Sequence, residues 1–152
     1  MMANLLDIDE AAQIISVRST RGAIILLDFK AAFPSMDHAF IWDTLAAVGV
    51  PLGFVDAIKL FYTSNTHSLR LHGALFDGPT VHCGVRRGCP LSGLLFAICA
   101  DVILISLEDV LCGKDEVVRA FADDTAIVMS DYTKSVGIAG TLFLEVEAIS
   151  GL

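Results

Sequence analysis

Three aspartates carry the chemistry that this sequence offers. Asp28 closes the apolar run Ala23-Ile24-Ile25-Leu26-Leu27, and Asp123-Asp124 form an adjacent pair. The pair lies between two apolar runs rich in β-branched residues, Val117-Val118-Arg119-Ala120-Phe121 and Thr125-Ala126-Ile127-Val128-Met129. An Ala-Asp-Asp turn between such runs reads as a hairpin tip. Carboxylates gathered there are expensive to bury and need a counter-charge, which a divalent cation supplies. If strand 23–28 lies beside the hairpin, Asp28 and Asp123 meet at one end of a sheet. Together they would bind Mg²⁺, a hard ion that takes oxygen ligands and shares them with substrate phosphates. Two ions about 4 Å apart activate an attacking hydroxyl and stabilise a leaving oxygen in an in-line displacement. Spacing alone favours separate solvated aspartates over such a pocket.

The elements around these residues follow from pattern. Residues 5–17 predict a helix with Asp7 as N-cap. Residues 23–28 are apolar on both faces and predict a central strand, so that Asp28 stands at the carboxyl end of a core element. Ser35 or Asp37 can cap a helix running to about Val48, with Phe40, Ile41, Leu45 and Val48 along its apolar stripe. Gly49 ends that helix and Pro51 opens the next, roughly 52–63. Residues 67–71 and 80–83 predict two short strands around the turn Phe76-Asp77-Gly78-Pro79. Arg86-Arg87-Gly88 is a basic turn, and Pro90 or Ser92 begins a long apolar helix ending near Leu111. A last amphipathic helix covers about 132–149. This order predicts an α+β fold, a sheet backed by helices on one face, in one domain over residues 1–152.

Composition narrows the classes. An apolar share of 55% with 18% charged residues predicts a packed core rather than disorder. A net charge of −8, from 10 basic and 18 acidic residues, argues against a free-standing nucleic-acid binder of the basic-patch kind. Cys83, Cys89, Cys99 and Cys112 form no CxxC pair and, with no signal peptide evident, predict reduced thiols in an intracellular, nuclear or cytoplasmic, protein that is not secreted. Cys83 and Cys89 with His67, His72 and His82 match no common zinc spacing. The run 91–107 is short for a membrane span, holds Asp101 near its middle and reads as a buried helix, so no membrane partner is expected.

Three segments together carry a family resemblance over nearly the whole chain. Asp28-Phe29-Lys30-Ala31-Ala32-Phe33-Pro34-Ser35-Met36-Asp37-His38 resembles the first palm motif of reverse transcriptases, in the form found in non-LTR (LINE-like) retrotransposons. Gly84-Val85-Arg86-Arg87-Gly88-Cys89-Pro90-Leu91-Ser92-Gly93-Leu94-Leu95-Phe96 is similar to their second motif, and Phe121-Ala122-Asp123-Asp124 to their catalytic hairpin. Trp42, Gly49-Val50-Pro51 and Tyr62 fall in a segment similar to the same family. The resemblance implies a polymerase palm-like antiparallel sheet and an RNA-directed DNA polymerase with two Mg²⁺ (or Mn²⁺) ions. Its partners would be an RNA template, a DNA primer and deoxynucleoside triphosphates.

Roles follow at matching positions. Asp28 and Asp123 would bridge the metals, with Asp124 more peripheral and the Phe29 carbonyl a backbone ligand. Phe33 would be the steric gate against a ribose 2′-hydroxyl, and Lys30 would meet phosphate. Arg87 and Gly88 would line the nucleotide pocket, although Arg87 stands where the family has glutamine. Gly93 replaces a usual proline, and Pro34 replaces the acid common after the gate. Residues 1–22 leave no room for fingers, and Ser150-Gly151-Leu152 precede any thumb or assisting lysine. The resemblance therefore implies a truncated palm, inactive by itself, whose acidic balance reflects missing basic subdomains. The alternative is a degenerate, non-catalytic relic that serves as an interaction module.

Overall fold

The structure is a computed structural model describing residues 2–29, 31–63, 66–86, 88–111, 116–122 and 124–152. In chain order it contains α1 (Met2–Arg18), β1 (Ala23–Asp28), α2 (Ala32–Ser35), α3 (His38–Ala47), α4 (Leu52–Tyr62), β2 (Ser68–Leu71) and β3 (Ala74–Asp77). These are followed by α5 (Pro90–Leu111), β4 (Val117–Phe121), β5 (Asp124–Met129) and α6 (Tyr132–Ser150).

The main sheet is antiparallel with strand order β1-β5-β4. Because strand side chains alternate between faces, its register sorts the residues. Ile25, Leu27, Ile127, Met129 and Val118 share one face, where they pack against Ile103, Leu107 and Leu111 of α5 and Ala139 and Val146 of α6. Val117 and Val128 point to the other face and meet Ile8, Ala11, Ala12 and Ile15 of α1. The sheet is thus backed by two helices and partly covered by a third, where the sequence predicted helices on one face only.

β5, not β1, is the central strand. Thr125 to Met129 are all buried, whereas Ile24 and Leu26 of β1 are 50% and 76% exposed. A continuous apolar run predicts burial on both faces; here β1 is an edge whose second face α1 leaves largely open. Just before β1 the chain passes close to α1, and a Cβ on Gly22 would collide with the Ile15 side chain.

α5 is the scaffold of the molecule. Ser92, Leu95, Phe96, Cys99, Ile103, Leu107 and Leu111 form its buried stripe, at the helical spacing that keeps one face inward. Its first half joins Met36, Ile41, Leu45, Val55 and Ile58 of the α2–α4 layer, and its second half carries the sheet. Cys99 is wholly buried, and that desolvation pushes its thiol pKa up to about 11. By length and composition α5 is apolar enough to cross a membrane; its inward stripe is the core of this domain.

Of the expected caps, Asp37 is present. Asp37 Oδ1 accepts from Ala39 N at 2.6 Å to start α3, and Asp131 Oδ1 accepts from Thr133 N at 3.2 Å to start α6. Val48 caps the end of α3, with Gly49 following at φ +85°, and α4 begins after Pro51. Two expectations fail. α1 begins by Met2, so Asp7 lies inside it rather than at its N-cap. The small hairpin pairs 68–71 with 74–77, turning at His72 and Gly73, both at positive φ. Two central residues at positive φ make the primed turn that matches strand twist. Asp77-Gly78-Pro79 instead ends the hairpin, where Gly78 N donates to His67 O at 2.7 Å, and the expected strand 80–83 reduces to one bridge between Cys83 and Asp37.

Leu107 and Leu94 lie on the same helix, fully buried and 57% exposed respectively. Leu107→Ala should lower the unfolding free energy by about 2–5 kcal/mol and Leu94→Ala by no more than about 0.5 kcal/mol, read by urea denaturation. Equal effects would contradict the assignment of the buried face.

Candidate metal centre

The β1–β5 register is continuous over six pairs from Ala23↔Met129 to Asp28↔Asp124. Asp28 and Asp124 are therefore directly opposite, and opposed residues project to the same face with Cβ atoms about 4.5–5.5 Å apart. Both residues are exposed. Neither has an ion-pair partner among the described residues. Like charges directly opposite each other destabilise a ladder, and two unit charges at such a distance repel by about 1 kcal/mol even in water. A divalent cation between them reverses the sign of that interaction, and hard carboxylate oxygens are the donors that Mg²⁺ and Mn²⁺ prefer.

The backbone at this end of the sheet is strained. Ala122, in the tip between Phe121 and Asp124, has φ 57°. Ala31, three residues beyond Asp28, is also left-handed at φ 55°, ψ 41°. Left-handed geometry costs an alanine about 1–2 kcal/mol, and such outliers persist where surrounding structure over-determines them. Among the described non-glycine residues only His72, in the far hairpin, shares this conformation.

The other residues singled out by sequence fall into two groups. Lys30, Arg87 and Asp123 lie outside the described residues, as does Cys112. The Phe29 ring packs edge-on against Phe143, with centroids 6.3 Å apart. Phe33 is half-buried and stacks on Phe96 of α5 at 4.7 Å and 15°, while its carbonyl accepts from Val85 N at 2.7 Å. Gly88 is exposed at φ +83° with open space where a Cβ would stand. The first and second motif segments are thus joined directly, through Phe33–Phe96 and through the 33–36 and 84–85 backbones.

Sequence reasoning missed how α1 reaches this end of the sheet. Asn4 Nδ2 donates to Ala120 O at 2.9 Å, and Arg119 Nε donates to Asp7 Oδ2 at 2.9 Å. Asn4, Arg119 and Ala120, with Leu5, Ile8, Leu26 and Phe121, line a cavity of about 230 Å³ that has Asp124 on its wall. The signal was present in strand alternation, which sets Arg119 on the same face as Phe121 and Asp124.

Comparison with known proteins places this architecture. The family described as "Reverse transcriptase (RNA-dependent DNA polymerase)" matches residues 2–148. The Pol polyprotein of the type-2 retrotransposable element R2DM of Drosophila melanogaster is 37% identical over 105 residues, 66% of this chain and 10% of its own length. The transposon TX1 uncharacterized 149 kDa protein of Xenopus laevis is 33% identical over 116 residues, 72% of this chain and 9% of its own. This chain thus spans about a tenth of the length of these two curated relatives. Apo telomerase from Candida Tropicalis, truncated from its C-terminal domain, superposes with a TM-score of 0.53 at 12% identity. That superposition covers 92% of this chain and 32% of the telomerase, a likeness of fold. With a family match over nearly its whole length and retrotransposon relatives on either side of one-third identity, this chain belongs to the reverse transcriptase family, of the non-LTR type.

Proposed function

We propose that this chain is the palm of an RNA-directed DNA polymerase, with Asp28 and Asp123 as the principal metal ligands and Asp124 as the outer carboxylate. The observation that supports this most is the opposition of Asp28 and Asp124 at the strained end of the sheet. The reaction joins a primer 3′-oxygen to the α-phosphorus of a deoxynucleoside triphosphate and breaks that phosphorus's bond to the bridging oxygen, releasing pyrophosphate. Bound Mg²⁺ or Mn²⁺ would supply Lewis acidity at both oxygens.

The protein's own contribution is placement. β1 and β5 hold the carboxylates on rigid, paired backbone, which fixes their spacing better than a loop could. Phe33, stacked on Phe96, would present its ring edge to the sugar and disfavour a 2′-hydroxyl. Gly88 would let the phosphates or base approach the backbone closely, with Lys30 and Arg87 the cations that the family resemblance assigns to the nucleotide. Template RNA and primer DNA are the macromolecular partners in this reading, and the setting is intracellular. The free thiols of Cys83, Cys89 and Cys99 agree with a reducing compartment.

Two measurements test the reading. Isothermal titration with Mn²⁺ should give saturable binding that Asp28→Asn and Asp123→Asn each weaken by at least about tenfold, about 1.4 kcal/mol; unchanged affinity in both would leave a non-catalytic interaction module. Phosphate contacts dominate nucleic-acid affinity, and this chain is at −8. The isolated 152 residues should therefore extend an annealed primer no better than their own Asp28→Asn control. Robust extension would refute the dependence on basic partner domains.

A further inference from the structure

α4 is apolar on two sides and covered on one. Val55, Ile58 and Tyr62 form its inward stripe, part of the core that the α2–α4 layer shares with the first half of α5. A second stripe, Gly53, Phe54, Ala57, Leu60 and Phe61, runs along the outer side and is exposed throughout. It has the three-and-four spacing of a helix seam. Phe54 is 56% exposed, Leu60 75% and Phe61 65%, and a Cβ on Gly53 would meet nothing within 4 Å. A helix apolar all round is normally buried all round, and contiguous apolar patches on a soluble surface mark interaction sites.

The flanks of this stripe differ. At 100° per residue, from 3.6 residues per turn, Phe54 and Phe61 lie to one side of Ala57, and Asp56 and Lys59 to the other. Asp56 Oδ1 and Lys59 Nζ are 3.9 Å apart, with side chains 74% and 44% exposed. They are the only charges on α4, so this face is neutral in a chain at −8. It is a place where two like-charged copies can approach without opposing one another.

The pattern is also self-complementary. In two antiparallel helices related by a two-fold axis that crosses between Ala57 and Ile58, residues equidistant from that point stand opposite. Phe54 then meets Phe61 of the second copy, and Asp56 meets Lys59 of the second copy. Each flank thus faces its own match, aromatic on aromatic and acid on base, as an isologous contact requires. Gly53 and Ala57, the small residues of the stripe, lie near the crossing, where they let two helix axes come within about 8–10 Å.

We propose that the outer face of α4 binds a second copy of this chain, the two helices antiparallel about that axis. The inference stands apart from the polymerase reading and uses none of the carboxylates at the sheet end. The exposed stripe offers roughly 500 Å² on each copy, so the pair buries roughly 1,000 Å² in all, at the low end of specific interfaces. The dimer is therefore a weak one, in the micromolar range.

Sedimentation equilibrium of the 152-residue protein over a wide concentration range should show the mass rising from 16.2 kDa toward twice that value. Phe54→Ser/Phe61→Ser should weaken association at least about a hundredfold, since aromatic anchors dominate such contacts. Asp56→Lys places like charges opposite each other and should weaken it about fivefold. The swap Asp56→Lys/Lys59→Glu restores opposite charges in the same register and should recover the parent's affinity. Leu26→Lys, on the exposed edge strand β1, should leave the dimer unchanged, which separates this interface from edge-to-edge strand pairing. Far-ultraviolet circular dichroism checks the fold of each variant, and if the serine pair unfolds, the charge series decides. A monomer at every concentration, a dimer indifferent to these α4 changes, loss of the dimer on Leu26→Lys, or no recovery in the swap would overturn the proposal.

Discussion

The opposition of two carboxylates across the β1–β5 ladder is the constraint around which this molecule is arranged. Six consecutive cross-strand pairs fix it, and a shift of one residue would turn every apolar side chain of β1 to the wrong face. Ile25 and Leu27 must face α5 and α6, so Asp28 must emerge on the opposite side. The same alternation in β5 buries Ile127 and Met129 and delivers Asp124 beside Asp28. Burial of the core therefore fixes the position of the charges. Repulsion between them is small against the hydrophobic gain that enforces the register, at about 25 cal/mol for each square ångström of apolar surface removed from water.

α5 couples this sheet to the rest of the chain. One buried stripe supports both the α2–α4 layer and the strands, so the loop at its N-terminus is fixed relative to the hairpin at its far end. Phe33 stacked on Phe96, Val85 N on Phe33 O and Gly84 N on Met36 O tie the first motif to the second. The C-terminus closes the same region, with Asp37 N donating to Ser150 O at 2.7 Å. Elements distant in sequence thus share one support, built on α5.

Much of this was legible in the sequence. Asp37 announces a helix start because a short carboxylate can reach the free amides of the first turn. The hairpin is legible because two β-branched runs flank a polar tip, and the three motifs in order indicate the palm. What stayed hidden depends on partners that one segment cannot reveal. An apolar run has the same composition whether its second face is covered or open, so composition alone does not tell the edge strand β1 from a central one. The His72-Gly73 turn carries no signal as strong as Asp77-Gly78-Pro79, because the left-handed conformation of a histidine leaves no mark in composition. The contacts of Asn4 and Asp7 with β4 join positions more than a hundred residues apart, beyond any periodicity. The departure at Arg87 was visible, but it and Asp123 lie outside the described residues.

The central claim, that one acidic pocket forms where β1 ends and β5 begins, is tested most directly by nuclear magnetic resonance of the ¹⁵N-labelled protein with substoichiometric Mn²⁺. Paramagnetic broadening should appear first at the amides of Leu27, Asp28, Asp124 and Thr125 and leave the β2–β3 hairpin sharp. Broadening spread evenly over scattered surface acids such as Asp9, Asp56 and Glu147, with no preference for the sheet end, would contradict it.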